Sequence, residues 1–346
     1  MEHRFKINRA GENQEAMGNR TELPSMADRM IALNSRLETL MPILTPIGVA
    51  LGFLASPVFV QLKPFVPWFF ALMTLSGSLK LRARDLGAAV ANPLPVIVFF
   101  ISAHVLMPLA ALAASNLALP GDADTAAGFV LLFSTPTAIS SFIWVSMFRG
   151  DGALALAIIL LDVLAAPFVV PFSTSLLLGT NISIDAAAMA SSLVLMIAIP
   201  TVIGIALNEA TRGAAPKLAG PFLGPVSKLC LILVVSANAA AIAPQVDLGG
   251  SKTWMIAAVG ILLAALGFSL GRLLGFAPAL RGAKARTLVF SVGLRNISAA
   301  ATLAIAYFPE AAALPAILGM IFQQSLAAVF GRLLLGKPIP KNGGPE

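Results

Sequence analysis

Charge is what this sequence lacks most. Of its 346 residues, 11% are Asp, Glu, Lys or Arg and 58% are hydrophobic, against about 25% and about 45–50% in soluble domains. A water-soluble globule is excluded. Cys230 is the single cysteine, which excludes an intramolecular disulfide and a thiolate metal cluster. Histidine is nearly as scarce: His3 and His104 leave little for a metal site, and neither metal nor cofactor is expected. Period-two alternation is missing as well, so the long apolar runs read as helices rather than as the strands of a transmembrane barrel. The first 40 residues hold no apolar run typical of a secretory signal. With six basic and six acidic side chains they read as a solvated, disordered cytoplasmic tail.

What is present is apolar length, with a mean hydropathy of +0.89. A hydrocarbon core about 30 Å thick needs roughly 20 apolar residues per helix. Hydropathy and helix breakers predict ten spans, near 41–60, 65–80, 88–115, 126–148, 153–178, 186–207, 220–245, 253–276, 287–308 and 311–335. The fold class is therefore an all-α, polytopic membrane protein. Basic residues cluster after every even-numbered span: Lys80, Arg82 and Arg84; Arg149; Arg212 and Lys217; Arg281, Lys284 and Arg286; Lys337 and Lys341. Odd-numbered exits carry only Lys63 and Lys252. The positive-inside rule then predicts a multi-pass protein of the plasma (inner) membrane with both termini, including a 337–346 tail, in the cytoplasm. The net charge of +7 follows from those loops and implies no nucleic-acid partner.

Ten spans divide into two halves of odd number, 41–183 and 184–336, which must insert in opposite senses, as in many secondary transporters. The fourth span contains FSTPTAISS, Phe133–Ser141, and its counterpart, the ninth, contains FSVGLRNIS, Phe290–Ser298. Pro136 cannot donate a backbone hydrogen bond and Gly293 is permissive, while the hydroxyls compete for backbone partners. Broken helices at matching depth point to a polar site, because unwound backbone survives in a membrane only when buried in protein or facing water. The plainer reading is two kinked helices whose Ser and Thr bond back to their own carbonyls.

Two charges fall inside spans, Arg295 in the ninth and Asp162 in the fifth. Each costs about 2.5 to 3.5 kcal/mol at the bilayer centre on insertion scales, so each is expected to have a partner or water. The simplest expectation is that they pair, directly or across a solvated site; the alternative is an ion pair that only fixes packing. A guanidinium suits a carboxylate or phosphate. Asp162 could instead carry a coupling proton. His104 could titrate too, although a bond from its ring to a backbone carbonyl is the simpler expectation. Cys230 reads as inert packing, and Lys228 and Arg272 as snorkelling cations.

The runs FRGDGALALAIILLDVLAAPFVVP (Phe148–Pro171) and VGLRNISAAATLA (Val292–Ala304) resemble stretches of the bile acid:sodium symporter superfamily. So do LKPFVPWFFALMTLSGSLKL (Leu62–Leu81) and MPL (Met107–Leu109), and the resemblance covers Met41–Leu335. It implies two inverted five-helix repeats, a panel domain of spans 1, 2, 6 and 7, and a core domain of spans 3 to 5 and 8 to 10. Spans 4 and 9 are implied to cross where they unwind, with an organic anion bound beside the crossing. The departures concern sodium. Members that use it typically have Glu and Gln where this chain has Ser291 and Arg295, Ser-Asn where it has Ser141 and Phe142, and hydroxyls where it has Ala155 and Ile159. Asn296 and Ser141 keep the pattern. Arg295 would then supply a tethered positive charge in place of a sodium ion, with Asp162 as counter-charge.

The expected function is secondary transport of a small organic anion by alternating access, proton-coupled or facilitative rather than sodium-driven. Arg295, Asn296, Ser141, Thr137, Ser291 and Ser298 are the expected substrate contacts, and Asp162 and His104 the coupling or counter-ion groups. A membrane receptor built on the same fold is an alternative, as is a metalloid efflux carrier, although Thr135 or Pro136 stands where such a carrier would show a cysteine. No activated nucleophile marks an enzyme.

Overall fold

The computed structural model describes residues 25–336 apart from 86, 88–91, 180–184 and 248. In chain order, α1 spans Met26–Leu54, α2 Ser56–Ser78, α3 Leu94–Ala118, α4a Ala123–Ser134, α4b Ser141–Met147 and α5 Gly152–Leu178. They are followed by α6 at Ala186–Ala210, α7 at Gly220–Ile242, α8 at Ser251–Leu274, α9a at Ala283–Gly293, α9b at Ile297–Tyr307 and α10 at Glu310–Leu335. Among the described residues, eight of these helices are long and apolar enough to cross a membrane. The α4 and α9 segments are each two half-helices joined by unwound chain. The protein is an all-helical, multi-pass membrane protein. Residues 1–24, the 337–346 segment with Lys337 and Lys341, and the boundary expected at 183–184 lie outside the described residues.

One expectation needs correction at the N-terminal end. The helix begins at Met26, well before residue 41, because Ser25 and Asp28 form a reciprocal capping box. Lys228 of α7 then anchors the extension, its Nζ lying 2.6 Å from Asn34 Oδ1 and 3.5 Å from Glu38 Oε1. Residues 26–40 are thus helical, and Lys228 is a partnered cation rather than a snorkelling one.

Helices packed in lipid gain little from the hydrophobic effect between them, so close backbone approach matters. Gly267 and Gly271 place α8 directly on α9a: a Cβ on Gly271 would stand 2.5 Å from the Leu288 carbonyl oxygen. Phe99, Phe129, Ile158, Phe268 and Phe290 are wholly buried, whereas Leu54, Trp68, Phe168, Leu262 and Leu333 face outward, where acyl chains would meet them. The inner surfaces converge on the two helix breaks.

Candidate functional site at the crossing of two broken helices

Pro136 has no N–H to return to the preceding turn, and α4a stops at Ser134 with Thr135 extended at ψ 155°. In the ninth segment α9a stops at Gly293, where a Cβ would lie 2.3 Å from a ring carbon of Phe268. Only glycine admits that ring. The freed backbone groups then satisfy one another. Thr137 and Arg295 form an antiparallel bridge, flanked by Ala138 N–H donating to the Leu294 carbonyl (3.2 Å) and Asn296 N–H donating to the Pro136 carbonyl (2.8 Å). The Thr137 hydroxyl donates to the same Leu294 carbonyl at 3.1 Å. This short two-strand contact is what allows irregular chain at that depth.

Arg295 is the bulkiest of the fully buried side chains, 2% exposed. Its Nη1 donates to the Thr135 carbonyl (3.2 Å) and its Nη2 to the Ala103 carbonyl (2.7 Å). Both acceptors are carbonyls left without a helical donor. Thr135 precedes Pro136 in the break. Ala103 lies in a π-turn of α3, Ser102–Leu106, where Met107 N–H bonds to Ser102 instead. The next residue, Pro108, has no N–H, so the Ala103 carbonyl loses both its α and its π donor. The guanidinium supplies the missing one. Sequence reasoning missed this residue; its signal was the proline of MPL in the middle of an apolar span.

Asp162, on α5, is 0% exposed. Of the two expected pairings with Arg295, direct or across a solvated site, the direct one is not formed, since Asp162 Oδ1 takes His104 Nε2 at 2.6 Å and Oδ2 takes the Thr137 N–H at 2.7 Å. Arg295, already held by two carbonyls, remains within electrostatic reach of the carboxylate. His104 correspondingly does not bond a backbone carbonyl through Nε2. Its other nitrogen, Nδ1, is buried with no hydrogen-bond partner. Phe99 and Phe100 wall the imidazole at ring-centre distances of 6.1 and 5.4 Å.

The remaining expected residues divide by exposure. Asn296 and Ser298 are partly exposed, and Asn296 Oδ1 caps α9b by accepting from Ala299 N–H at 3.2 Å. Ser141 and Ser291 are buried with hydroxyls that meet no partner, as is Ser134. Phe142, Ala155 and Ile159 bring no side-chain oxygen to the site, and the last two are wholly buried. Among the described residues no cluster of His, Cys, Asp and Glu could hold a metal ion, and Cys230 is buried in α7. Asn238 of α7 reaches across to Thr302 of α9b at 3.1 Å, and Tyr307 bonds both Ser192 and the Ala188 carbonyl of α6. These links between helices were not foreseen, since isolated polar residues in apolar spans do not announce their partners.

Paired half-helices crossing inside a polytopic bundle define a membrane transporter of the broken-helix type. The profile of the Sodium Bile acid symporter family matches residues 67–246, and the chain belongs to that family. It is 38% identical over 294 residues to the Bacillus subtilis protein YbaS, described as uncharacterized, covering 85% of this chain and 96% of YbaS. It is 26% identical over 266 residues to B. subtilis YocS, described as an uncharacterized sodium-dependent transporter, covering 77% of this chain and 81% of YocS. It is also 26% identical over 272 residues to a probable chloroplastic sodium/metabolite cotransporter of Arabidopsis thaliana, covering 77% of this chain and 61% of the plant protein. The family is one of transporters rather than enzymes.

Proposed function

We propose that this protein is a secondary transporter of a small organic anion, working by alternating access without sodium. The observation that carries this reading is the Arg295 guanidinium held by the Thr135 and Ala103 carbonyls at 3.2 and 2.7 Å. Main-chain carbonyls converging at a helix break are ligands for a hard cation. Here a permanently charged side chain takes them, Phe142, Ala155 and Ile159 bring no side-chain oxygen beside it, and Ser291 offers a neutral hydroxyl in place of a carboxylate. The substrate anion lies on the accessible side, against Asn296 and Ser298 at the N-terminus of α9b, where the helix dipole favours negative charge. Ser141, Thr137 and Ser291 shape the pocket floor, and Arg295 attracts the anion through space. The two halves 41–183 and 184–336 act as inverted repeats, and the core rocks against a panel of α1, α2, α6 and α7. The protein resides in the plasma membrane with its termini in the cytoplasm.

Relatives carry sodium in their names, so the discriminating measurement imposes sodium and pH gradients separately on proteoliposomes. Uptake of a carboxylate is expected to ignore sodium. Strong sodium dependence would refute the reading. Arg295→Gln, which keeps one amide donor but no charge, is expected to abolish the thermal shift that carboxylates give the purified protein.

A further inference from the structure

We propose that His104 binds the coupling proton, and that the carrier moves one proton with each monoanion in an electroneutral symport. The inference rests on the anion-carrier reading above and extends it to the coupling ion, the stoichiometry and the charge of the substrate. With Asp162 ionised, the 2.6 Å contact requires Nε2 of His104 to carry the hydrogen, which leaves the lone pair on Nδ1. That atom is buried and unpartnered, in a residue only 8% exposed. It is a vacant basic site beside a carboxylate. The rings of Phe99 and Phe100 pack on the imidazole.

Charge arithmetic then selects the stoichiometry. The charged groups facing His104 are Asp162 from α5 and Arg295 from the α9 break. The other helices packed on it keep their charges at their ends, α4a at Asp122 and Asp124, α8 at Lys252 and Arg272. With a neutral ring, Asp162 and Arg295 sum to zero. With the ring protonated the site carries +1, which a bound monoanion returns to zero. Both forms that must reorient, empty and fully loaded, are therefore neutral inside the protein. An anion entering without a proton would leave a net buried charge, which is costly away from water. A dianion would leave the same charge even with the proton. A proton-balanced monocarboxylate is the substrate class that fits, and binding of anion and proton each favours the other.

The test uses the full chain in proteoliposomes, with labelled pyruvate, 2-oxobutyrate and succinate as probes and protein-free liposomes as the baseline. A monocarboxylate is expected to accumulate tenfold per unit of imposed pH gradient, acid outside, whether or not valinomycin sets a membrane potential, while succinate does not accumulate. His104→Gln is expected to reduce accumulation to the baseline. Because that variant also loses a buried contact, a second measurement uses the unaltered site: with His3→Gln as background, 15N-histidine NMR in nanodiscs reports one ring only. Pyruvate should increase the imidazolium fraction of that ring at a given pH. Exchange of pyruvate across the membrane with no response to the pH gradient would overturn the proton proposal and leave the anion carrier standing. A ring that stays neutral throughout would overturn it as well. Absence of any anion exchange would overturn both.

Discussion

The two helix breaks touch each other and yet are made of opposite materials. The α4 break, from Thr135 to Ser140, is longer, has a proline as its second residue, and carries no charge. The α9 break, from Leu294 to Asn296, is short, follows a glycine pressed against Phe268, and carries a buried guanidinium and an amide. Each meets the other's needs: the α4 break offers its Thr135 and Pro136 carbonyls to Arg295 and Asn296, while its Ala138 N–H and Thr137 hydroxyl go to the Leu294 carbonyl of the α9 break. Neither would be tolerated alone in hydrocarbon, where each unpaired polar group costs several kcal/mol. Their complementarity, rather than either motif, creates a polar centre in an apolar bundle. It also explains why His104 and Asp162 are there: Asp162 holds the Thr137 N–H of the first break while balancing the charge of the second.

The sharpest way to break this comparison is to remove the cation. Arg295→Met strands the Thr135 and Ala103 carbonyls and leaves Asp162 without its neighbouring charge, with an expected loss of about 3–5 kcal/mol, the scale of a broken buried ion pair. Thermal unfolding in nanodiscs, followed by tryptophan fluorescence, measures it, and unchanged melting would show that the two breaks do not need each other. Gly293→Ala attacks the second break alone. Its methyl must displace the Phe268 ring from 2.3 Å, an overpacking cost of about 1–3 kcal/mol. The equivalent change Pro136→Ala restores a donor without adding a clash and is expected to cost less. Thr137→Val removes one hydroxyl donor to the Leu294 carbonyl and should cost about 1 kcal/mol. A loss as large as that of Arg295→Met would place the weight of the crossing on the first break instead.

The smallest effect lies at the entrance to α4a, away from the crossing. Burial alone would raise the Asp122 carboxyl, but hydrogen bonds from Lys252 and from Thr125 outweigh it and hold the group below its ordinary value of 3.8. A depressed carboxylate contributes stability that is present above the unfolded value and is lost as pH falls through the folded one. Lys252→Ala should therefore cost at most about 1 kcal/mol at pH 7 and progressively less below pH 4. A penalty that persists at pH 3 would show that the lysine acts through packing rather than charge.

Hydropathy alone located the helices, because lipid demands the same apolar length at every crossing. The boundaries of α5 and of α8 fall within a few residues of expectation. Proline and glycine marked both interruptions, because each alters the backbone at its own position. The early start of α1 was missed because a capping box overrode a run of mixed charge. The pairing within the site was missed for a different reason. Arg295 and Asp162 stood out as costly charges, but a cost predicts that a partner exists without saying which atom it is.

Composition by itself therefore determined that this chain lives in a membrane, that two of its helices break, and that charge is concentrated at one of the breaks. These are consequences of local chemistry and of the solvent. Only the folded arrangement decided that the guanidinium would go to carbonyls left open by the α4 break and by Pro108, and the carboxylate to an imidazole from α3. Such choices depend on which orphaned groups the packing brings within bonding distance, across separations in sequence of 192 residues for Arg295 and Ala103 and 58 for His104 and Asp162.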